Sequence, residues 1–300
     1  MSKIVECIPN FSEGTRQEVI IQLAEVIKNI PGVTLLDFSS DSNHNRSVFS
    51  FLGNPDGVEI AAFEITKKAS ELIDLRVHKG EHPRMGATDV IPFVPIKDMT
   101  IQECIEMSQR IGKRIADELG IPVFLYEESA TKPERKNLAT IRKGQFEGMN
   151  NKMKDPNWAP DYGNCEVHPS AGTVAVGARI PLIAYNINLN TSDISIANKI
   201  AKIIRESSGG LKCVKSIGIM LKSRNIAQVS INMTDYTVTP LYRVFEMVKF
   251  EAKRYGVDVI GSEIIGLTPM NALIDSAIYY LQLDGFNSKT QVLESRLLNE

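Results

Sequence analysis

The stretch "VTLLDFSSDSNHNRSVFSFLGNPDG", residues 33–57, contains the pattern that decides the predicted fold. "VTLLDF" and "RSVFSFLG" are rich in β-branched, aromatic and aliphatic residues, and the polar loop "SSDSNHN" joins them, which is typical of two consecutive strands. "NPDG" at 54–57 predicts a turn. Residues 57–74 then have one apolar side at helical spacing, formed by Val58, Ala61, Ala62, Ile65 and Ala69. The segment therefore predicts strand–strand–helix.

The flanking sequence extends this order in both directions. "KIVECI" at 3–8 predicts a strand, and the capping-box pattern "TRQE" at 15–18 predicts the start of a helix. "DVIPFVPI" at 89–96 predicts the strand that follows residues 57–74. The result is strand–helix–strand–strand–helix–strand, the split βαβ, ferredoxin-like order. A second capping box, "TIQE" at 100–103, opens a further helix that ends at Gly120 before the strand "IPVFLYE".

The second half of the chain predicts the same order of elements. Its strands are "LIAYNINL", "CVKSIGIML", "AQVSINM" and "EIIGL"; its helices span 192–206, 240–254 and 270–283. We therefore expect an α/β (α+β) protein of two similar ferredoxin-like subdomains. The predicted domains are 1–180, with the catalytic histidine and a ligand loop, and 181–300.

Residues 127–172 differ from both halves. They are rich in glycine and proline and contain the only tryptophan, Trp158. The segment is too long for an ordinary connector. It is either a plain inter-domain linker or a folded crossing segment that covers a site.

Composition excludes some classes of partner. The chain has 34 Lys and Arg against 36 Asp and Glu, a formal net charge of -2, so no basic excess favours nucleic acid or an anionic membrane. We find no signal region at the start and no apolar run long enough for a transmembrane helix. The four cysteines form no CxxC pair, which is typical of reduced thiols and predicts a cytoplasmic protein.

Two of the four histidines lie close together in "HKGEHPRMGATDVIPFVP", residues 78–95. "HKGEH" matches H-x-x-E-H, a zinc pattern that requires a helix. Gly80 lies inside the motif and Pro83 pushes His82 out of helical angles, so we expect no metal. The histidines are then either solvated loop residues or part of an acid–base site, because imidazole titrates near neutrality.

Five segments resemble glutamate formimidoyltransferase, the formiminotransferase part of the bifunctional formiminotransferase–cyclodeaminase. They are "VECIPNFSEG" (5–14), "HKGEHPRMGATDVIPFVP" (78–95), "HPSAGTVAVGAR" (168–179), "LIAYNINL" (182–189) and "NIAQVSINMTD" (225–235). They occur in the family's order, and the resemblance covers residues 3 to about 284.

The resemblance implies an enzyme of two similar α/β subdomains that forms a homodimer. It implies transfer of the formimino group from N-formimino-L-glutamate to tetrahydrofolate, giving glutamate and 5-formiminotetrahydrofolate in histidine degradation. Tetrahydrofolate, with one or more glutamyl residues, is the co-substrate. The family's catalytic histidine lies in "EHPRMG", which is His82 here. The family's folate segment matches Gly163, Asn164, Cys165, Glu166, Val167, His168, Pro169, Ser170, Ala171 and Gly172. The chain ends at 300, so we expect a separate cyclodeaminase to take the product.

The reaction suggests roles for further residues. A carboxylate is expected to orient His82, and Asp37 and Asp41 are the candidates. Carboxylates of both substrates need cations, and Arg46, Lys79, Arg84 and Arg179 lie in or beside the matched motifs; each is alternatively a solvated surface charge. Asn10, Asn186 and Asn188 are substrate-binding candidates, or else residues at strand ends. His78 either tunes His82 or is structural.

Two other functions stay open from the sequence. A related folate enzyme, such as one that cyclises 5-formyltetrahydrofolate, fits the same scaffold; the chain has no P-loop pattern to support nucleotide use. A non-catalytic folate-binding module also fits, although binding alone gives no reason for His82.

Overall fold

The computed structural model describes residues 3–297 and divides the chain into two compact units, Met1–Arg179 and Ile180–Glu300. The first unit contains one mixed sheet with its helices. Its strands are β1 (Ile4–Cys7), β2 (Asn10–Phe11), β3 (Val33–Asp41), β4 (Arg46–Gly53), β5 (Thr88–Lys97), β6 (Val123–Glu127) and β7 (Val174–Ala178). Its helices are α1 (Gln17–Lys28), α2 (Pro55–Leu72), α3 (Ile101–Leu119), α4 (Leu138–Arg142) and α5 (Gln145–Lys152).

The sheet of the first unit has a ferredoxin-like core. β1 and β2 follow one another between β4 and β5, and β3 lies outside β4, with every pair antiparallel. The helices α1 and α2 complete the predicted βαββαβ order, which is confirmed. β7 and β6 then extend the sheet in parallel beyond β5. The sequence patterns did not predict β7, whose five residues are all small or β-branched and fully covered.

The hairpin of β3 and β4 differs from its prediction in one respect. "SSD" at 39–41 was expected in a loop, but it continues β3 and pairs with Arg46–Val48 of β4. The turn is therefore only residues 42–45. Asp41 stabilises it, because its Oδ1 accepts hydrogen bonds from the backbone N–H groups of Asn43 (2.8 Å) and His44 (2.9 Å).

The two faces of this sheet have different surroundings. Helices α1, α2 and α3 share one apolar core with the first face. On the opposite face, residues of the crossing segment, including Ile141, Met149 and Met153, pack on Phe124 and Tyr126 of β6. By strand register, Asn10, Asp37 and Arg46 belong to this second face. The candidate residues thus lie beside the crossing segment.

The crossing segment is folded, as the second of its two interpretations predicted. A buried ion pair fastens its two ends: Arg135 Nη1 donates to Asp161 Oδ2 at 2.5 Å, and the Arg135 side chain is 1% exposed. Arg135 Nη2 also donates to the carbonyl oxygens of Asn157 (3.0 Å) and Ala159 (2.5 Å). Asp161 Oδ2 further accepts from the backbone N–H of Leu125 in β6 at 2.8 Å. The segment is therefore part of the first unit's structure.

The second unit is the smaller sheet with its own core. Its strand order is β11-β8-β10-β9, all antiparallel, which is the ferredoxin-like order that the sequence predicted. Helices α6 and α7 share the core with one face of the sheet. The strands are β8 (Ile183–Leu189), β9 (Val214–Leu221), β10 (Ile226–Met233) and β11 (Val259–Ile265). The helices are α6 (Ile194–Ile204), α7 (Leu241–Arg254), α8 (Met270–Leu281), α9 (Ser288–Gln291) and α10 (Leu293–Leu297).

Among residues 3–297, every helix is too short or too polar to cross a lipid bilayer.

We predict that the Arg135–Asp161 pair holds the crossing segment. Arg135→Met should lower the free energy of unfolding by about 3–5 kcal/mol, because it leaves the Asp161 carboxylate buried without its partner. Asp117→Asn is the matched control, since the Lys113–Asp117 pair is exposed on α3 and should contribute at most ~0.5 kcal/mol. Urea denaturation followed by circular dichroism measures both. Equal effects of the two substitutions would show that the buried pair has no special role.

Candidate active site

The loop that carries His82, residues 73–87, is fastened to the β3–β4 turn. Asn45 Nδ2 donates to the carbonyl of Lys79 at 2.8 Å, and the Glu81 N–H donates to the carbonyl of Asn43 at 3.2 Å. Gly80 lies directly against the turn: a Cβ there would be 2.3 Å from the carbonyl oxygen of His44. A side chain at position 80 would separate the two segments. The glycine therefore permits the contact that places His82 beside the turn.

His78 has a structural role in this loop. Its Nε2 donates to the carbonyl of Asn45 at 2.9 Å, and its Nδ1 accepts from Arg84 Nε at 3.2 Å. Both ring nitrogens are occupied, and the bonds assign the proton to Nε2. Residues 78–82 form no helix, as predicted, so the H-x-x-E-H pattern lacks the geometry of its zinc site. Across residues 3–297, no cluster of three or more His, Cys, Asp or Glu side chains has a metal-binding arrangement.

Arg84 connects the loop to the crossing segment. Its guanidinium makes bidentate hydrogen bonds to Glu147 (2.9 and 2.7 Å) and one to Gln145 Oε1 (3.1 Å), besides the bond to His78. The residue is 8% exposed. Sequence analysis assigned Arg84 to substrate carboxylates, but the structure instead uses most of its donors to hold α5 against the loop.

His82 itself lies partly buried in a positively charged surrounding. Burial, and after it the neighbouring Arg46, Arg142, His44 and His78, together lower the pKa of its imidazole from 6.5 to about 3. The ring makes no hydrogen bond to any of residues 3–297. At neutral pH His82 is therefore an uncharged imidazole, which is the form that accepts a proton.

The expected carboxylate partner of His82 is not found in this structure. Asp41 Oδ2 contacts His44 Nδ1 at 2.8 Å, and bonds to the backbone and side chain of His44 lower the pKa of Asp41. Asp37 lies exposed on β3 opposite Ser50. The turn thus places a carboxylate–imidazole pair near His82, but the imidazole of that pair is His44.

Two arginines supply the positive charge beside His82. Arg46 Nε donates to Asn10 Oδ1 at 2.9 Å, and no carboxylate among residues 3–297 lies within ion-pair distance of its guanidinium. Burial and then the nearby Arg142 lower the pKa of Arg46. Asp89 and Asp41 raise it by weaker electrostatic effects. A partly buried cation with no carboxylate in direct contact is suited to bind an anionic ligand.

Arg142 was not predicted from the sequence. It ends α4, and its guanidinium forms an ion pair with Asp89, which is 1% exposed. Asp89 Oδ1 also accepts from the Met85 N–H at 2.8 Å, so the pair connects α4 to the end of the His82 loop. No local signal marks Arg142, because only the folding of the crossing segment brings it to the site.

The candidate folate loop, residues 163–172, has an exposed part and an anchored part. Residues 163–166 are exposed, whereas Ser170 and Ala171 accept hydrogen bonds through their carbonyl oxygens from Leu75 and Ala87, both at 2.8 Å. His168 Nδ1 accepts from the Ala171 N–H at 3.0 Å and so shapes the turn. A Cβ at Gly172, where φ is +74°, would be 2.2 Å from the Met85 carbonyl oxygen. The loop and the His82 loop are thus one connected substructure.

The remaining candidates lie in different surroundings. Lys79 is exposed beside His82 in sequence. Arg179 interacts with Tyr126 and lies near Glu6, whose pKa burial raises and Arg179 lowers. Asn186 and Asn188 lie on β8 of the second unit.

The comparisons with known proteins cover nearly the whole chain. The N-terminal subdomain of the formiminotransferase domain matches residues 4–179, and the formiminotransferase domain matches 184–296. Glutamate formimidoyltransferase of Streptococcus pyogenes serotype M1 is 62% identical over 99% of this chain and 100% of its own length. The enzyme of that name from Thermoplasma acidophilum is 47% identical over 98% and 97%. Formimidoyltransferase-cyclodeaminase of Rattus norvegicus is 44% identical over 93% of this chain and 53% of its own length.

We predict that His82 stays neutral to unusually low pH in the free protein. Its pKa near 3 means that the ring should show no protonation at pH 5, where an ordinary imidazole is mostly charged. Nitrogen NMR of the ring, assigned with a His82→Gln variant, measures this. Arg46→Gln should raise the pKa, because it removes the charge that lowers this pKa most, whereas Arg243→Gln on the exposed surface of α7 should not. A wild-type midpoint between pH 6 and 7 would contradict the assignment.

Proposed function

The chain belongs to the formiminotransferase family, and from that premise we propose that it transfers the formimino group of N-formimino-L-glutamate to tetrahydrofolate. The products are L-glutamate and 5-formiminotetrahydrofolate, so the reaction joins histidine degradation to one-carbon metabolism. The proposal rests on one observation. The neutral His82 imidazole lies beside the guanidinium of Arg46, which is bonded to Asn10 and has no carboxylate in direct contact.

The chemistry requires one group that accepts a proton and later returns it. N5 of tetrahydrofolate attacks the formimino carbon, and its proton passes to the neutral His82 imidazole. The C–N bond to glutamate then breaks, and the departing glutamate nitrogen takes the proton from the imidazolium. One imidazole performs both transfers, so the enzyme returns to its starting state without a metal.

The charges around His82 link substrate binding to this proton transfer. In the free site, burial and the two arginines hold the pKa of His82 far below neutrality. N-formimino-L-glutamate brings two carboxylates, and their binding beside Arg46 and Arg142 offsets the positive charges. The pKa of His82 then rises toward the working pH, where proton acceptance and return are both efficient.

Other residues divide between the two substrates. Arg46 binds a carboxylate of formiminoglutamate, with Asn10 holding its guanidinium in place. Residues 163–166 and Lys79 are exposed beside the connected loops and serve the folate and its glutamyl tail. Arg84 and His78 position the loop rather than contact substrate. Asp41 acts on His44, and we assign Asp37 no contact.

The proposal also includes the oligomeric state, the cellular compartment and the enzyme that consumes the product. The protein works as a homodimer in the cytoplasm, in keeping with its four unpaired cysteines. A separate cyclodeaminase consumes 5-formiminotetrahydrofolate. The direct test is purified protein with both substrates and a coupled assay for glutamate release; absence of glutamate, or turnover of 5-formyltetrahydrofolate alone, would refute formimino transfer as the activity.

His82→Ala should lower the turnover number by about 10²–10⁴-fold, because general acid–base catalysis by one side chain is typically worth that factor. Tetrahydrofolate affinity should change little, since other residues supply it. Steady-state kinetics and equilibrium binding measure the two effects, and added imidazole should restore part of the rate. His78→Ala is the comparison: it should chiefly lower thermal stability. Normal turnover by His82→Ala would remove this residue from the mechanism.

Arg46→Gln should weaken formiminoglutamate binding by about 1.5–3 kcal/mol, the usual contribution of a hydrogen bond to a charged group. Arg46→Lys should recover part of the loss, since it keeps the charge but not the bidentate geometry. The KM for formiminoglutamate reports the effect, with Arg243→Gln as the exposed control. If only the KM for tetrahydrofolate rises, Arg46 binds the folate instead.

A further inference from the structure

The β3–β4 turn carries a second imidazole that the proposed proton transfer leaves unused. Asp41 Oδ2 accepts a hydrogen bond from His44 Nδ1 at 2.8 Å. Asp41 Oδ1 accepts from the backbone N–H groups of Asn43 and His44, so both carboxylate oxygens are fixed. An ionised carboxylate only accepts hydrogen bonds, which places a proton on Nδ1 of the ring. We call these two side chains the Asp41–His44 pair.

The second ring nitrogen of His44 is free to exchange a proton. Nε2 makes no hydrogen bond to any of residues 3–297, and half of the side chain is exposed. A carboxylate on one nitrogen of an imidazole fixes the ring and stabilises the imidazolium. Nε2 can therefore take a proton from water and pass it to a neighbouring base.

The pair lies against the loop that carries His82. A Cβ at Gly80 of that loop would be 2.3 Å from the His44 carbonyl oxygen, and the charge of His44 contributes to the lowered pKa of His82. Arg46, which the proposed function assigns to a substrate carboxylate, follows two residues later at the start of β4. The departing nitrogen of formiminoglutamate is bonded to the carbon that bears the α-carboxylate. A substrate held by Arg46 therefore has this nitrogen beside the turn.

The products of the proposed reaction take up one proton more than His82 returns. When the C–N bond breaks, the proton from N5 of tetrahydrofolate reaches the glutamate nitrogen, which leaves as a neutral –NH2 group. Free glutamate carries –NH3+ at neutral pH, because an α-amino group is more basic than an imidazole. Until it gains that proton, the lone pair of the amine can attack the formimino carbon again and reverse the transfer. A second proton therefore prevents the return of glutamate.

We infer that His44, oriented by Asp41, is the acid that gives this second proton to the departing glutamate; this rests on the proposed function. The electron pair of the broken C–N bond stays on the nitrogen. A new N–H bond forms with the proton of Nε2, giving –NH3+ and a neutral imidazole. Water then returns a proton to Nε2, because the ring is exposed.

The two histidines differ as this division of roles requires. His82 is partly buried and neutral, and accepts the N5 proton, whereas the exposed His44 is recharged by solvent. His78 does not compete for either role, because both of its ring nitrogens are bonded. The titratable and charged groups around the turn are Asp41 within it, His78, Lys79, Glu81 and His82 on the loop packed against it, and Arg46 at the start of β4.

The test follows glutamate release by the whole protein across a pH range that brackets the ordinary pKa of imidazole, ~6.5. The turnover number and both KM values are determined for wild type, His44→Gln and Asp41→Asn. Asp193→Asn is the matched control. Asp193 is also an exposed carboxylate that accepts a backbone hydrogen bond, from the Ser195 N–H at 2.8 Å, at the start of α6.

At the acidic end of the range His44→Gln should lower the turnover number by about 10²-fold, the lower end of what general acid catalysis contributes. Each KM should stay within about threefold of wild type, because other residues supply binding. The ratio of the two turnover numbers at each pH cancels the effect of His82, which both proteins keep. This ratio should approach one as pH rises, because the wild-type imidazolium then loses its proton.

Asp41→Asn should move the alkaline fall in turnover to lower pH, because the carboxylate that stabilises the imidazolium is gone, and Asp193→Asn should match wild type. A deficit of equal size at every pH would show that His44 only holds the turn, and would overturn the inference. So would a wild-type turnover number that does not fall toward alkaline pH, a result that needs no variant to fold. Normal turnover by His44→Gln overturns the role of His44 alone, whereas wild type that releases no glutamate refutes the proposed function and this role with it.

Discussion

The positive charge of two arginines beside a partly buried imidazole is the constraint that organises the first unit's site. Arg46 and Arg142 lie near His82, and Arg142 alone has a carboxylate partner, the buried Asp89. Such a group of charges is unfavourable in the free protein, because each cation has lost part of its hydration. The surrounding structure maintains it through fixed contacts: Asn10 on Arg46, Asp89 on Arg142, and the β3–β4 turn on the His82 loop. In the proposed function, an anionic substrate offsets this charge and thereby raises the pKa of His82.

The crossing segment serves both stability and the site. Its ends are held by the buried Arg135–Asp161 pair, its apolar residues cover one face of the sheet, and Arg142 reaches His82 from its first helix. Its second helix is tied to the His82 loop through Glu147 and Arg84. The candidate folate loop at its end shares backbone hydrogen bonds with that same loop. The crossing segment is therefore in direct contact with the loop that carries His82.

Both units share a ferredoxin-like core. Each has the element order βαββαβ, and in each the helices of that order cover one face of the sheet while polar residues lie on the other. In the first unit that face holds Asn10 and Arg46; in the second it holds Asn186, Asn188, Gln228 and Glu263. The charge differs between them. The first carries the guanidinium of Arg46, whereas the second carries the carboxylate of Glu263 and three side-chain amides.

The sequence by itself determined the order of elements, because strand and helix periodicities and the capping boxes are local signals. It also determined the family, because long motifs such as "HKGEHPRMGA" are contiguous in the sequence, whereas the catalytic role of His82 stays a prediction. It failed at β7, whose short small-residue strand carries no alternation once both faces are buried. It did not predict that Arg84 bonds Glu147 or that the carboxylate of Asp41 bonds His44 rather than His82, since the partners of a side chain depend on what the fold brings near. Only the tertiary structure decided four contacts. They are the ion pair of Arg142 with Asp89, the hydrogen bond from Arg46 to Asn10, the hydrogen bond from His78 to the Asn45 carbonyl, and the hydrogen bond from Gln228 to Glu263. Each joins residues far apart in the chain, and their distances, burial and net charge exist only after folding.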